Sequence, residues 1–177
     1  GISQKILQYF AGKMGKTLYP VADGETEGIL RQVYREVTGS YATENDLRQM
    51  QLAISYVKNM RLREREIEEL ETEVEEFPEI YQAYNRALRE RKRIDYDDQM
   101  VYAIKILEQY PPVLSYFKQK YRYLCVDEAQ DTSKIQHDMI ELLAGKNGNL
   151  FMVGDEDQSI YGFRAAYPEA LIHFEQR

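Results

Sequence analysis

The chain has 177 residues, about the length of one domain. It carries 23 Lys and Arg against 30 Asp and Glu, a net charge of −7, with 44% hydrophobic and 30% charged residues. This composition is globular, which excludes a disordered chain, and a single cysteine excludes an internal disulfide framework. No apolar run approaches the roughly 18–20 residues that span a bilayer, so we expect a cytoplasmic protein without a membrane partner.

The first half of the chain, residues 1–95, is predicted to be helical. Apolar residues recur at helical spacing over 29–37 and over 47–57, and Thr43 precedes the second run as a predicted N-cap. The charged stretch over 61–76 is predicted to be a solvated helix face or an acidic connection. Another helix is predicted over 80–93, after the break at Pro78.

The second half mixes helices with two predicted strands. Residues 121–126 and 150–153 are β-forming, nearly continuous apolar runs, which are typical of buried parallel strands. An amphipathic helix is predicted between them over 133–144, so that strand, helix and strand form a βαβ unit. Cys125 lies inside the first strand, and we expect its thiol to be buried.

Both predicted strands end in carboxylates. Asp127 and Glu128 follow the first strand, and Asp155, Glu156 and Asp157 follow the second. Ligands of parallel α/β sheets bind beyond the carboxyl ends of the strands. There an Asp can hold Mg²⁺, a Glu can polarise an attacking water, and a nearby Gln can contact a γ-phosphate.

Longer strings around these carboxylates carry a family resemblance. DEAQDT at 127–132 and VGDEDQSIYGFRAA at 153–166 closely resemble motifs II and III of superfamily 1 helicases of the UvrD/Rep/PcrA type. The string IDYDDQM at 94–100 is similar to the segment where that family's chain re-enters the motor domain from a helical insert. The resemblance is strongest over 94–177, and residues 1–93 match weakly, as the insert.

The resemblance implies a mainly α-helical fold with an α/β part. A helical insert subdomain over 1–93 would join a truncated P-loop NTPase (RecA-like) parallel-sheet domain over 94–177. The implied function is ATP-dependent unwinding of DNA during translocation on a single strand, in DNA repair or replication. ATP and Mg²⁺ are the implied cofactors, and single-stranded and duplex DNA are the implied partners.

The resemblance also implies roles by position at the nucleotide site. Asp127 would hold Mg²⁺ and take part in catalysis. Glu128 would be the catalytic base for the water that attacks ATP. Gln158 would contact the γ-phosphate and report its presence.

The DNA side of the site would follow in motif III. Tyr161 and Phe163 would lie near single-stranded DNA, where an aromatic face stacks on a base. Arg164 would contribute to nucleotide binding and couple that site to the DNA groove. Phe163 stands where many relatives have Trp, and Ala165 stands where Gly is common, and neither departure implies lost activity.

A phosphate-binding loop is not found in the sequence. The string GKT at 15–17 is the nearest match to G-x-x-x-x-G-K-[ST], but Phe10 stands at the first glycine and no β-forming run precedes it. The chain also starts at Gly1 and stops at Arg177, soon after motif III. We therefore expect an internal fragment that does not hydrolyse ATP by itself. We also expect it to self-associate through exposed sheet edges.

Two other functions stay open. A metal-dependent nuclease would use the acids at 127–128 and 155–157, but three or four must converge on the metal, and the string at 158–164 has no role there. A non-catalytic DNA- or protein-binding module would use the helical half. Its candidate DNA contacts, or else solvated helix charges, are Arg86, Arg89, Arg91, Lys92 and Arg93, and Lys58, Arg61, Arg63 and Arg65.

Overall fold

The computed structural model describes residues 1–146 and 148–155, which are mainly helical with a small parallel sheet. This confirms the predicted mainly α fold with an α/β part. The described elements are α1 (Ile2–Met14), α2 (Thr26–Thr38), α3 (Glu44–Asn59), α4 (Glu64–Glu68), α5 (Phe77–Glu90), α6 (Tyr96–Gln109), α7 (Pro111–Lys120), β1 (Tyr123–Val126), a 3₁₀ turn (Ala129–Asp131), α8 (Lys134–Ala144) and β2 (Asn149–Met152). Across these residues, no helix combines the length and the apolar character needed to cross a membrane.

The chain forms two compact units. The first contains residues 1–18, residues 59–61 and the described chain from residue 99 onward, and the second contains residues 19–58 and 62–98. The predicted boundary at residue 93 assigns residues 1–18 to the helical half, whereas in the structure they belong to the first unit. They belong there because Ile6 and Leu7 of α1 share one apolar core with Ile104 and Phe117.

The second unit is built from amphipathic helices around one apolar core. Thr43 caps α3 as predicted: its Oγ1 accepts from the Asp46 N–H at 3.1 Å, and the Asp46 carboxylate accepts from the Thr43 N–H at 2.8 Å. The acidic stretch also contributes to the core, since Ile67 and Val74 are buried. The main helical contributors to the core are Ile29, Leu30, Val33, Leu47, Met50, Ile54, Ile80 and Leu88.

A buried ion-pair cluster lies inside the second unit. The Nζ of Lys58 lies 2.6 Å from Asp95 Oδ2 and 2.8 Å from Asp98 Oδ1, and only 3% of the Lys58 side chain is exposed. The Tyr84 hydroxyl donates to Asp95 Oδ2 at 3.1 Å. Burial works to lower the pKa of Lys58, but the two carboxylates outweigh it and raise that pKa above its ordinary value. The ammonium group is therefore held in its charged form.

The same two carboxylates start α6. The Asp98 N–H donates to Asp95 Oδ1 at 2.8 Å, and the Asp95 N–H donates to Asp98 Oδ2 at 3.1 Å. This reciprocal capping satisfies backbone donors that the first turn of a helix leaves without a partner. The cluster thus ties α3, through Lys58, and α5, through Tyr84, to the beginning of α6.

Lys58→Ala is expected to lower the free energy of unfolding by about 3–5 kcal/mol, because it leaves two buried carboxylates without their counter-charge. Denaturant titration of the 177-residue chain, followed by circular dichroism, measures the loss. Arg65→Ala is the matched control, since it removes an exposed ion pair with Glu69 in the same unit and should change stability by less than about 0.5 kcal/mol. Similar, small effects of both substitutions would contradict a structural role for the cluster.

In the first unit, β1 and β2 form the predicted βαβ arrangement with α8 between them. The strands are parallel, with Leu124 opposite Leu150 and Val126 opposite Met152. Ser133 starts α8, because its side chain accepts from the Gln136 N–H while the Gln136 side chain accepts from the Ser133 N–H. Helix and strands lie within two residues of the predicted limits.

The exposure of the strands differs from the prediction. Side chains alternate between exposed and half-buried along both strands, and Tyr123 and Phe151 are 77% and 65% exposed. The Cys125 thiol is exposed too, so the expectation of a buried cysteine was wrong. An apolar run predicts two covered faces. Within the described residues, however, the face that carries Tyr123, Cys125 and Phe151 stays open to solvent.

We expect the Cys125 thiol to react with an aromatic disulfide reagent in native buffer at a rate within about tenfold of the rate in denaturant. The reason is that the reagent reaches an exposed thiol without any unfolding of the chain. Absorbance of the released thiol measures the rate. The control is Ile135→Cys in a Cys125→Ser background, since Ile135 is 1% exposed and its replacement should react only when the unit opens. Equal, slow reaction of both thiols would contradict the exposure of β1.

Candidate active site

The candidate active site lies where β1 and β2 end side by side. Backbone pairing continues beyond the strands: the Val153 N–H donates to the Val126 carbonyl at 2.8 Å, and the Ala129 N–H donates to the Val153 carbonyl at 2.8 Å. These bonds bring residues 127–128 next to residues 154–155. The parallel register therefore places Asp127 and Glu128 beside Asp155 at one edge of the sheet, while Glu156 and Asp157 lie outside the described residues.

Glu128 occupies an unusual backbone conformation at this edge. Its φ of 50° and ψ of 47° lie in the left-handed region, which a residue with a Cβ rarely adopts. A tight turn holds it there, because the Asp131 N–H donates to the Glu128 carbonyl at 2.9 Å and the Thr132 hydroxyl donates to the Ala129 carbonyl at 2.7 Å. Strain of this kind is concentrated at functional sites.

Gln130 bridges the two strand ends. Its Nε2 donates to Glu128 Oε2 at 2.6 Å, and its Oε1 accepts from the Asp155 N–H at 3.0 Å. Only 2% of Gln130 is exposed. Sequence reasoning missed this residue, and the only signal was an amide placed two residues after the predicted base.

Asp127 is exposed and suits a magnesium ion that arrives with a nucleotide. Its Oδ1 accepts from the Glu128 N–H at 3.0 Å. Mg²⁺ is commonly held by one or two carboxylates together with substrate phosphates and water. The buried Oδ1 of Asp131 has no hydrogen-bond donor within the described residues, so this pocket offers a further acceptor to a bound water. The donor set therefore fits the ion that the resemblance implies.

An apolar cavity of about 450 Å³ opens beside these carboxylates. Asp127, Glu128 and Asp131 line its polar side. Its apolar lining includes Ile2, Met100, Leu124, Met139, Ile140 and Leu143. The acids thus line a concave surface, which is the usual setting of a small-molecule site.

Several predicted site residues lie outside the described residues. These are Gln158, Tyr161, Phe163 and Arg164, so their roles stay predictions. Within residues 1–146 and 148–155, no group of three or more His, Cys, Asp or Glu side chains is arranged to hold a metal ion. The nuclease alternative also needs Asp157, which is likewise outside the described part.

The GKT string at 15–17 is not built as a phosphate loop. A helix precedes it, and Gly15 ends that helix with a φ of 61°. The Lys16 N–H then donates to the Ala11 carbonyl at 2.9 Å. A phosphate loop follows a strand and opens a helix. The structure therefore agrees with the sequence analysis, in which this string does not qualify as a phosphate-binding loop.

The two groups of basic residues differ in their partners. The first group is engaged within the chain, because Lys58 binds Asp95 and Asp98, Arg61 binds Glu108 and Asp138, Arg63 binds Glu66 and Arg65 binds Glu69. In the second group, Arg91 donates to Gln32 and Arg93 to Glu25. Arg86, Arg89 and Lys92 are exposed and form no ion pair with the described residues. Of these two groups, they are the side chains that form no ion pair or side-chain hydrogen bond with the described residues.

Comparison with known proteins agrees with the motifs. The family model of the UvrD/REP helicase N-terminal domain matches residues 1–177. The ATP-dependent DNA helicase PcrA of Staphylococcus epidermidis is 32% identical over 151 residues, which cover 82% of this chain and 21% of the relative. PcrA of Staphylococcus aureus is 43% identical over 97 residues, covering 55% of this chain and 13% of the relative. The chain thus spans about a fifth or less of the length of these curated relatives.

Proposed function

Because the chain belongs to the UvrD/REP helicase N-terminal domain family, we propose that it forms part of an ATP-dependent DNA helicase that translocates on single-stranded DNA. The observation that carries this proposal is the parallel pairing of β1 with β2. It places Asp127 and Glu128, which follow β1, beside the residues that follow β2. In this proposal, β1, α8 and β2 belong to a RecA-like motor domain. The insert subdomain corresponds in this proposal to the second unit, residues 19–58 and 62–98, instead of the predicted range 1–93.

The nucleotide chemistry divides between the two acids. Asp127 would hold the Mg²⁺ that accompanies ATP, and the ion would supply positive charge beside the phosphates. Glu128 accepts a proton from the water that attacks the γ-phosphate. Gln158 contacts the γ-phosphate, and Arg164 contributes to nucleotide binding. Support for the first two roles comes from the exposed position of both carboxylates beside the cavity.

On the DNA side, Tyr161 and Phe163 stack on bases of the translocating strand, and Arg164 couples that contact to hydrolysis. Stacking on an aromatic face is worth about 1–3 kcal/mol per base and tolerates any sequence. Such contacts suit an enzyme that moves along DNA in repair or replication and unwinds the duplex ahead of it. The PcrA relatives are ATP-dependent DNA helicases, which supports the unwinding of DNA in this proposal.

We expect Glu128→Gln to lower the kcat of DNA-stimulated ATP hydrolysis at least about 100-fold in the intact protein that contains this chain, with little change in KM, because the base acts on the water and not on ATP binding. Phosphate release measures the rate. Glu79→Gln makes the same chemical change on the exposed face of α5 and should leave kcat unchanged. A normal rate in Glu128→Gln would remove Glu128 from catalysis.

The 177-residue polypeptide alone is proposed to hydrolyse no ATP. Its sequence supplies no phosphate-loop motif, and positioning of the phosphates is most of phosphoryl-transfer catalysis. Hydrolysis by this polypeptide that Glu128→Gln abolishes would contradict the proposal. Self-association of the polypeptide through residues 121–154 stays a prediction, supported by the exposed Tyr123 and Phe151 side chains.

A second candidate function is DNA binding by the helical part alone. Arg86 and Arg89 lie one turn apart on α5, and Lys92 follows the end of that helix. All three are exposed and form no ion pair with the described residues. Unpaired cations on one face attract DNA phosphates even in a protein of net negative charge.

Reversing charge with Arg86→Glu and Arg89→Glu is expected to weaken binding of the chain to single-stranded DNA and to flatten its salt dependence. Loss of two phosphate contacts lowers the slope of log K against log salt by about 1.4, from roughly 0.7 per contact. Fluorescence anisotropy across a salt series measures both effects. The control pair Arg35→Glu and Arg48→Glu makes the same change of net charge elsewhere on the second unit, at exposed residues that are not candidate DNA contacts. Equal losses of DNA affinity in both pairs would show that net charge, and not a local surface on α5, determines binding.

A further inference from the structure

We propose that Gln130 is a positioning residue that holds the Glu128 carboxylate in place for attack on ATP. This inference rests on the proposed ATPase function and goes beyond it, since it assigns a role to a side chain next to the base. The side-chain amide of Gln130 spans the two strand ends of the candidate site, with one end on Glu128 and the other on the backbone after β2.

The first argument is the state of the amide itself. Gln130 is 2% exposed, so water does not compete for its hydrogen bonds. The bond from its Nε2 to Glu128 Oε2 measures 2.6 Å, well within hydrogen-bond distance. Its Oε1 accepts from the Asp155 N–H at 3.0 Å, which fixes which end of the amide faces Glu128. A buried amide satisfied at both ends has one orientation.

The second argument is that Glu128 needs support. Its carboxylate is exposed, and a Glu side chain has several rotamers of similar energy. A base must lie within hydrogen-bond reach of the attacking water, and a displacement of about 1 Å can cost about 100-fold in rate. Gln130 engages one carboxylate oxygen, Oε2, which leaves Oε1 to face the water.

The third argument is the shape of the backbone around the amide. A Cβ at Gly154 would lie 2.6 Å from Gln130 Oε1 and 3.0 Å from the Ala129 N atom. Gly154 therefore lets β2 approach closely enough for the Asp155 N–H to reach Gln130. Any added side-chain atom at 154 pushes the amide, and with it the Glu128 carboxylate.

The bridge also connects the base to the segment after β2. Asp155 is followed three residues later by Gln158, to which the resemblance assigns contact with the γ-phosphate. A change in the backbone at Asp155 reaches Glu128 through only two hydrogen bonds. Gln130 thus links the base to the segment after β2, which leads to the predicted γ-phosphate contact at Gln158.

The test measures steady-state ATP hydrolysis with saturating single-stranded DNA, in the intact protein that contains this chain. Gln130→Met keeps the length of the side chain and removes both hydrogen bonds. Gln130→Glu keeps the acceptor for the Asp155 N–H but removes the donor and places a like charge beside Glu128. We expect both to lower kcat at least about tenfold with KM for ATP changed less than about twofold, since ATP binding does not use the bridge.

A double-mutant cycle separates positioning from general structural damage. If Gln130 acts through Glu128, then Gln130→Met added to Glu128→Gln causes no further loss in the single-turnover rate. Gly154→Ala disturbs the same amide from the other strand, so its loss should likewise vanish in the Glu128→Gln background. Thermal unfolding shows which variants fold, and Gly154→Ala and Gln130→Glu serve if Gln130→Met does not.

The possible outcomes are distinct. A folded Gln130→Met protein with kcat within about twofold of the wild type overturns the inference, as do losses that add to that of Glu128→Gln. Either result leaves the proposed function intact, because the wild type still hydrolyses ATP through Glu128. A wild-type protein without DNA-stimulated hydrolysis overturns the proposed function and this inference with it. Loss of kcat that disappears in the Glu128→Gln background supports the assignment.

Discussion

The parallel pairing of β1 with β2 is the interaction on which the candidate site depends. Three backbone and side-chain bonds extend this pairing past the strands, from Val153 to Val126, from Ala129 to Val153 and from Asp155 to Gln130. Together they place the turn that carries Glu128 against the start of the next segment. A slip of one residue would turn every side chain of β2 to the other face, so the register also determines the chemistry.

The second unit depends on a different kind of constraint. Lys58, Asp95 and Asp98 exchange an exposed, hydrated state for a buried network in which each charge has a partner. Such a network adds little stability compared with a well-packed apolar core, but it tolerates few alternative arrangements. Because the same carboxylates cap α6, the position of that helix start is tied to α3. The network therefore contributes more to the uniqueness of the fold than to its free energy of unfolding.

Features set by neighbours in sequence were predictable here, and features set by distant contacts were not. Helical periodicity, the Thr43 cap, the βαβ order and the acidic strand ends all follow from local patterns, and the structure contains them. The burial of Lys58 did not follow, because its partners lie 37 and 40 residues away. The bridge by Gln130 reaches Asp155 across 25 residues, and the exposure of Cys125 depends on which elements cover the sheet.

The left-handed backbone at Glu128 has a consequence for stability engineering. A residue with a Cβ in this conformation costs about 1–2 kcal/mol relative to glycine, which adopts it freely. A search for variants that tolerate heat would therefore favour glycine at this position and would discard the carboxylate. Selection for function acts in the opposite direction, so this peptide marks a place where the most stable sequence and the working sequence differ.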